Sequence, residues 1–238
     1  MFSINYLDNT ETYRLTHPQK RIWYIEKVYP DTSIYNIAGT SRIKGAVDFK
    51  HLDQAIQILI KTNDGIRLQI IEDNGVPKQL IKPYERIQID FFDFSKYDAP
   101  EEELAAWIER KVKEPFTVEN NLLYYFAMFK LSEKDNGYFV KIHHIISDGW
   151  TFSLLSQQIS DNYTKLIRDE EVNDTSKYSY KEYIEQENTY LNSERFEKDK
   201  LFWNERFSNL PENIIKEGTH SLSGKGVLFI LKKIYTQK

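Results

Sequence analysis

Residues 122–150 read LLYYFAMFKLSEKDNGYFVKIHHIISDGW, and this stretch decides how the chain folds. Residues 122–131 are almost continuously apolar and rich in Tyr and Phe, the pattern of a strand buried on both faces. Residues 132–137 are polar and end on Gly137, which predicts a hairpin loop. Residues 138–146 predict the paired strand, carrying His143 and His144 near its end. Asp148-Gly149 predicts a turn. A helix follows from about Trp150 to Ile167, with Phe152, Leu155 and Ile159 at helical spacing. Neighbours on a strand point to opposite faces, so one of His143 and His144 should face the packing side and the other a cleft.

Working outward, Thr16 with Gln19 three residues on forms a capping box, and Pro18 lies in the first turn. This predicts a helix over 17–28, with Ile22, Ile25 and Trp23 on its apolar side. Residues 36–43 read as a strand. Asp48 is a good N-cap, and Phe49, Leu52, Ile56, Leu59 and Ile60 recur as on an amphipathic helix. Residues 66–72 and 76–81 predict strands joined at Asp73-Asn74-Gly75. Residues 87–94 predict another. Pro100 and Glu101-Glu102-Glu103 open a helix whose buried face is Leu104, Trp107, Ile108 and Val112. Residues 180–207 read as helix, broken near Asn192-Ser193, and 226–235 as one more strand. The pattern is α+β: a mixed or antiparallel sheet covered by helices.

Composition narrows the function. The net charge is −4, with acids and bases interspersed, so nothing marks a nucleic-acid or membrane surface. The 238 residues include no Cys, which excludes disulfides, thiolate zinc sites and cysteine nucleophiles and fits a cytoplasmic protein. The first residues lack a basic segment followed by an apolar run, so no signal peptide is read there. Trp23, Trp107, Trp150 and Trp203 are read as core or interface, and His17 and His51 as solvated. His220 falls in a weakly patterned tail.

The chemistry lies in residues 143–149. A histidine can take a proton from an amine or hydroxyl attacking a carbonyl, an effect of about 10²- to 10⁴-fold. A backbone N–H at the Gly149 turn can hold the developing oxyanion. No covalent intermediate is required, which agrees with the absence of a Gly-x-Ser-x-Gly elbow. A metal shared by His143, His144 and Asp148 is disfavoured because adjacent strand residues diverge.

His143-His144-Ile145-Ile146-Ser147-Asp148-Gly149 resembles the HHxxxDG signature of nonribosomal peptide synthetase condensation domains, shared across the chloramphenicol-acetyltransferase-like superfamily. Leu15-Thr16-His17-Pro18-Gln19-Lys20-Arg21-Ile22-Trp23 resembles the first condensation motif. Thr62-Asn63-Asp64-Gly65-Ile66-Arg67 resembles the second; Arg67 matches fully, with Asp64 and Ile66 as similar replacements. Tyr180-Lys181-Glu182-Tyr183 resembles the fourth. Residues 30–36 and Pro115-Phe116 also sit where such domains carry similar residues. The resemblance runs in unbroken order from Leu15 to Phe207.

The resemblance implies a chloramphenicol-acetyltransferase-like lobe that forms amide bonds by acyl transfer. His144 would meet the acceptor amine. His143 and Asp148 would hold the turn, and Gly149 would offer its N–H to the reacting carbonyl. Asp148 is expected to form a structural ion pair with Arg67. No cofactor is expected to bind directly, because the substrates ride on phosphopantetheine arms of donor and acceptor peptidyl carrier proteins. A condensation domain has two similar lobes and is about twice this long. Residues 1–210 are therefore expected to form the N-terminal lobe and 211–238 a truncated crossover and tail. The missing C-terminal lobe becomes an expected partner, and the apolar face left open favours self-association. Because the motifs begin near Met1, the domain is expected to open its polypeptide, in a starter role or receiving a chain from another subunit.

Three other readings stand beside this one. A small chloramphenicol-type acetyltransferase carries the same motif near its C-terminus, whereas 89 residues follow Gly149 here. A non-catalytic docking lobe and an epimerisation domain are the others.

Overall fold

The computed structural model describes residues 11–173, 175, 178–209 and 230–236, the last segment as backbone alone. In chain order the elements are β1 (Thr12–Arg14), α1 (His17–Val28), β2 (Asn36–Lys44), α2 (Phe49–Thr62), β3 (Leu68–Asp73) and β4 (Val76–Ile81). They continue with β5 (Asp90–Asp93), α3 (Pro100–Lys113), β6 (Tyr124–Ser132), β7 (Asp135–His143), α4 (Gly149–Ile167), α5 (Tyr180–Leu191), α6 (Glu194–Arg206) and β8 (Ile230–Thr236). A 3-10 turn, Asp64–Arg67, follows α2. The α+β class holds, but the strands form two sheets where one was expected. One is antiparallel, ordered β1-β4-β3; the other is mixed, ordered β5-β6-β7-β2-β8.

The mixed sheet follows from strand alternation. Tyr124, Phe126 and Met128 of β6 and Tyr138, Val140 and Ile142 of β7 pack with α2 and α4 residues such as Ile56, Leu59, Leu155 and Ile159. The other face carries Ala127, Phe129, Leu131 and Phe139, packed against Leu104, Trp107, Ile108 and Val112 of α3. Residues 123–131 are thus largely buried on both faces, as their continuous apolarity predicts, while Leu122, before β6 begins, is exposed. A smaller cluster joins Leu15, Trp23, Ile70, Val118, Leu123 and Ile145 near the end of β7.

Local signals fix most element ends. The Gln19 side chain accepts from the Thr16 backbone N–H at 2.9 Å and donates to Gln79 at 2.8 Å, which ties the start of α1 to β4. Asp48 accepts from the Lys50 and His51 backbone N–H groups at the start of α2. Ser193 accepts from Phe196 N–H at 3.2 Å, so the expected break between α5 and α6 is a helix cap.

Four expectations change. The hairpin expected over 132–137 has a shorter loop: β6 and β7 pair almost to their tips, with Ser132 opposite Asp135. Gly137 is a strand residue, since a Cβ there would fall on the Ser41 carbonyl oxygen and the Phe129 ring. The strand 87–94 shortens to β5, because Gln57 of α2 takes both the carbonyl (2.7 Å) and the N–H (3.3 Å) of Ile87. The buried face of α1 is Gln19 and Trp23; Ile25 is 38% exposed.

By contacts the chain divides into two units, Met1–Ser179 with Leu228–Lys238, and Tyr180–Val227. β8 pairs parallel to β2 and so belongs to the first unit's sheet. The second unit holds α5 and α6, on which Leu201, Phe202, Trp203 and Phe207 are exposed. His220 and the rest of 210–229 lie outside the described residues. Among the described residues no helix is long and apolar enough to cross a membrane.

Candidate active site

The site is built by the end of β7. Alternation sends Lys141 and His143 to the face opposite Val140 and Ile142. There His143 is 1% exposed. Its ring lies between Tyr35, centroids 6.0 Å apart, and Phe116, also 6.0 Å. Its Nε2 is 3.2 Å from the Glu26 carboxylate, and its Nδ1 accepts from the Ile145 backbone N–H at 3.2 Å.

β7 ends at His143, not at residue 146 as the sequence predicts. The chain turns at once. Ile146 N–H donates to the His143 carbonyl at 3.1 Å, and Ser147 Oγ donates to the same carbonyl at 3.0 Å. His144 hangs from this turn and is exposed, so the two histidines do face apart. The His144 backbone N–H is held by the Tyr35 carbonyl at 2.8 Å. Its ring Nδ1 lies 2.7 Å from the Ser147 carbonyl oxygen. A carbonyl can only accept, so Nδ1 carries the proton, and in the neutral ring Nε2 keeps its lone pair. Among the described residues Nε2 has no partner.

Asp148 is the N-cap of α4. Its Oδ1 accepts from the backbone N–H groups of Trp150 (3.0 Å) and Thr151 (2.9 Å) and from Thr151 Oγ1 (2.8 Å). Burial pushes this carboxyl up, but the Thr151 and Trp150 hydrogen bonds, with the nearby His144, hold it below its ordinary value. The Gly149 N–H is the first of the helix and so has no acceptor within it. Gly149 is exposed, and a Cβ there would meet nothing within 4 Å, so its own fold does not require glycine. Glycine there leaves room for something to approach.

The expected Arg67–Asp148 ion pair is absent. Arg67 instead closes the C-terminus of α2: Nη1 donates to the carbonyls of Ile60 (2.6 Å) and Lys61 (2.7 Å), and Nε to that of Lys82 (3.0 Å). Its guanidinium is consumed by helix-end carbonyls that would otherwise lack donors. Asp148 is consumed by the start of α4.

Sequence reasoning missed Glu26 as the partner of His143, and it missed Tyr35 and Lys141. Lys141 is 4% exposed; burial pushes its amine down to about 8. It donates to the Glu114 carbonyl at 2.8 Å and sits 4.5 Å from the Phe116 ring centre. Trp23 and Trp107 are core, but Trp150 is 78% exposed and Leu154, one turn on along α4, is 60% exposed.

His144, with Nε2 unpartnered among the described residues, and Gly149, whose N–H has no acceptor within α4, bracket the turn from β7 into α4, an arrangement that can take a proton from a bound group. The family model for the condensation domain matches residues 9–238. The chain belongs to the condensation domain family. It is 35% identical over 215 residues to surfactin synthase subunit 1 of Bacillus subtilis, covering 89% of this chain and 6% of that protein. It is 31% identical over 200 residues to the dimodular nonribosomal peptide synthase of the same organism, covering 84% of this chain and 8% of that protein. The chain therefore spans only a small part of the curated relatives it matches. Among solved structures, the starter condensation domain of rhizomide synthetase matches with a TM-score of 0.80 at 24% identity, over 85% of this chain and 49% of that one. The first condensation domain of the CDA synthetase matches with a TM-score of 0.74 at 22% identity, over 52% of its length. These two likenesses concern the fold: this chain aligns with about half of a condensation domain.

Proposed function

We propose that this chain is one lobe of an amide-forming condensation domain of a nonribosomal peptide synthetase, with His144 as its chemical residue. The observation that carries this is the His144 ring: Nδ1 is held by the Ser147 carbonyl, and Nε2 is open among the described residues. The acceptor amine attacks the donor thioester carbon. His144 Nε2 positions the amine and takes its proton as the C–N bond forms. The Gly149 N–H stabilises the oxyanion of the tetrahedral intermediate. The carbonyl reforms, the C–S bond breaks, and the proton passes to the departing thiolate. His143 and Asp148 hold the turn and the helix start.

Donor and acceptor would arrive on the phosphopantetheine arms of two carrier proteins in the cytoplasm, and no cofactor need bind the chain itself. The rhizomide starter domain, in a mutant form, was solved in complex with C8-CoA and Leu-SNAC, an acyl and an aminoacyl compound of the kinds this reading requires. The exposed Trp150 and Leu154 beside the motif would be covered by a second lobe, or by a second copy of this chain where no second lobe is present.

The test is amide formation from a carrier-bound acyl thioester and a carrier-bound aminoacyl thioester, with this chain inside a complete two-lobed domain. Product that needs both carriers supports the reading. Absence of product from a folded, carrier-loaded domain sinks it.

A further inference from the structure

We infer that Glu26 is a positioning residue for His144, acting through His143. The inference rests on the reading that His144 meets the amine. Glu26 lies on α1, one turn beyond Trp23, 117 positions from His143 in sequence. The two side chains are 9% and 2% exposed.

The hydrogen bonds fix His143's proton. Its Nδ1 accepts from the Ile145 backbone N–H, so that nitrogen is unprotonated. The remaining proton sits on Nε2 and points at the Glu26 carboxylate. Both ring nitrogens are therefore committed, one to a distant helix and one to the turn. The turn then reaches His144: the His143 carbonyl takes Ser147 Oγ at 3.0 Å, and the Ser147 carbonyl takes the His144 Nδ1–H at 2.7 Å. The connection from Glu26 to the His144 ring is unbroken.

Without Glu26 the buried His143 Nε2–H has no acceptor, and a buried donor without a partner is costly. Unless a water from the adjoining cavity takes the acceptor's place, the ring recovers by swinging away or by moving its proton to Nδ1. Either change breaks the Ile145 contact and loosens the turn that holds His144. Glu26 also lines an open cavity of about 240 Å³ with Trp23, Lys27, Pro30 and Phe116.

The experiment uses Glu26→Gln, which keeps an acceptor oxygen, and Glu26→Leu, which keeps bulk without one. Ring ¹⁵N spectra of the five histidines are recorded on this chain, and kcat and KM on a complete domain containing it. The parent should show His143 protonated on Nε2 and His144 on Nδ1. Glu26→Gln should keep both patterns and stay within a few-fold in kcat. Glu26→Leu should blur both and lower kcat by about 10- to 100-fold, the scale of an ångström-level misplacement, with KM for the acceptor nearly unchanged. Should Glu26→Leu fail to fold, Glu26→Asp, whose acceptor is one methylene short, is read by the same two measurements. A folded acceptor-free or shortened variant with an unchanged His144 pattern and unchanged kcat overturns the inference. A parent that makes no amide, but whose His144 pattern still responds to Glu26→Leu, refutes the function while leaving the linkage standing.

Discussion

At the Asp135 end of β7, Arg42 donates to Asp135 and, at 3.0 and 2.6 Å, to both oxygens of Glu101, and Lys44 adds a bond of 2.5 Å to Asp135. These charged groups answer one another within the fold. At the opposite end of the strand, Glu26 and His143 form a buried polar pair. Beside it His144 spends one ring nitrogen on the turn and leaves the other open among the described residues. One strand thus carries a polar cluster closed on itself and a polar cluster with one free valence. Satisfied polar groups hold structure; the unspent lone pair is where chemistry can occur.

The comparison can be broken most severely between its two ends. Gly137→Ala places a methyl group on the Ser41 carbonyl. The cost should exceed the ~1–3 kcal/mol of ordinary overpacking, because the obstacle is backbone. A thermal melt should show the cooperative transition lost or sharply lowered; a parent-like melt would remove the reason for glycine. Arg42→Ala comes next. It leaves Asp135 with Lys44 as its remaining cation, and should cost about 2–3 kcal/mol in denaturant unfolding, below a fully buried network since Glu101 is 63% exposed. The turnover of the protein that still folds should be unchanged, because this end does no chemistry.

Lys141, between the two ends, gives a pH test. Burial lowers its amine from 10.5 to about 8, which corresponds to roughly 3 kcal/mol favouring the neutral form. The unfolded chain binds the proton more tightly, so stability is lowest below pH 8 and rises as pH climbs from about 8 to 10.5. Unfolding followed across that range should show the rise in the parent and lose it in Lys141→Met.

Asp148→Ala should have the smallest effect, about 1 kcal/mol for a lost N-cap. The depressed Asp148 carboxyl contributes stability above its unfolded value, and that contribution fades as pH falls through its folded value. Acid unfolding of Asp148→Ala should therefore lack this part of the parent's slope.

Much of this was legible because local chemistry set it. The cap at Asp48, the break at Asn192-Ser193, the continuous apolarity of residues 122–131 and the opposed faces of His143 and His144 are all properties of neighbouring residues. What was misread depended on distant ones. Gly137 looks like a turn residue unless one knows that Phe129 and Ser41 press on it from both sides. Arg67 looks like a free cation until the end of α2 is placed against it. Glu26 looks like a solvated acid on α1, although its spacing from Gln19, Ile22 and Trp23, seven, four and three residues, puts it on their face of the helix. An acid on that face was the available sign that something buried needed a carboxylate. The family resemblance located His144 without explaining what holds it.

The central claim is that His144 is chemical and His143 structural. The direct measurement compares His144→Ala with His143→Ala in a complete domain, reading the melting transition and the rate of amide formation per folded molecule. The account predicts that His144→Ala melts like the parent and loses rate by about 10²- to 10⁴-fold, while His143→Ala melts early. Full turnover by folded His144→Ala protein would contradict it.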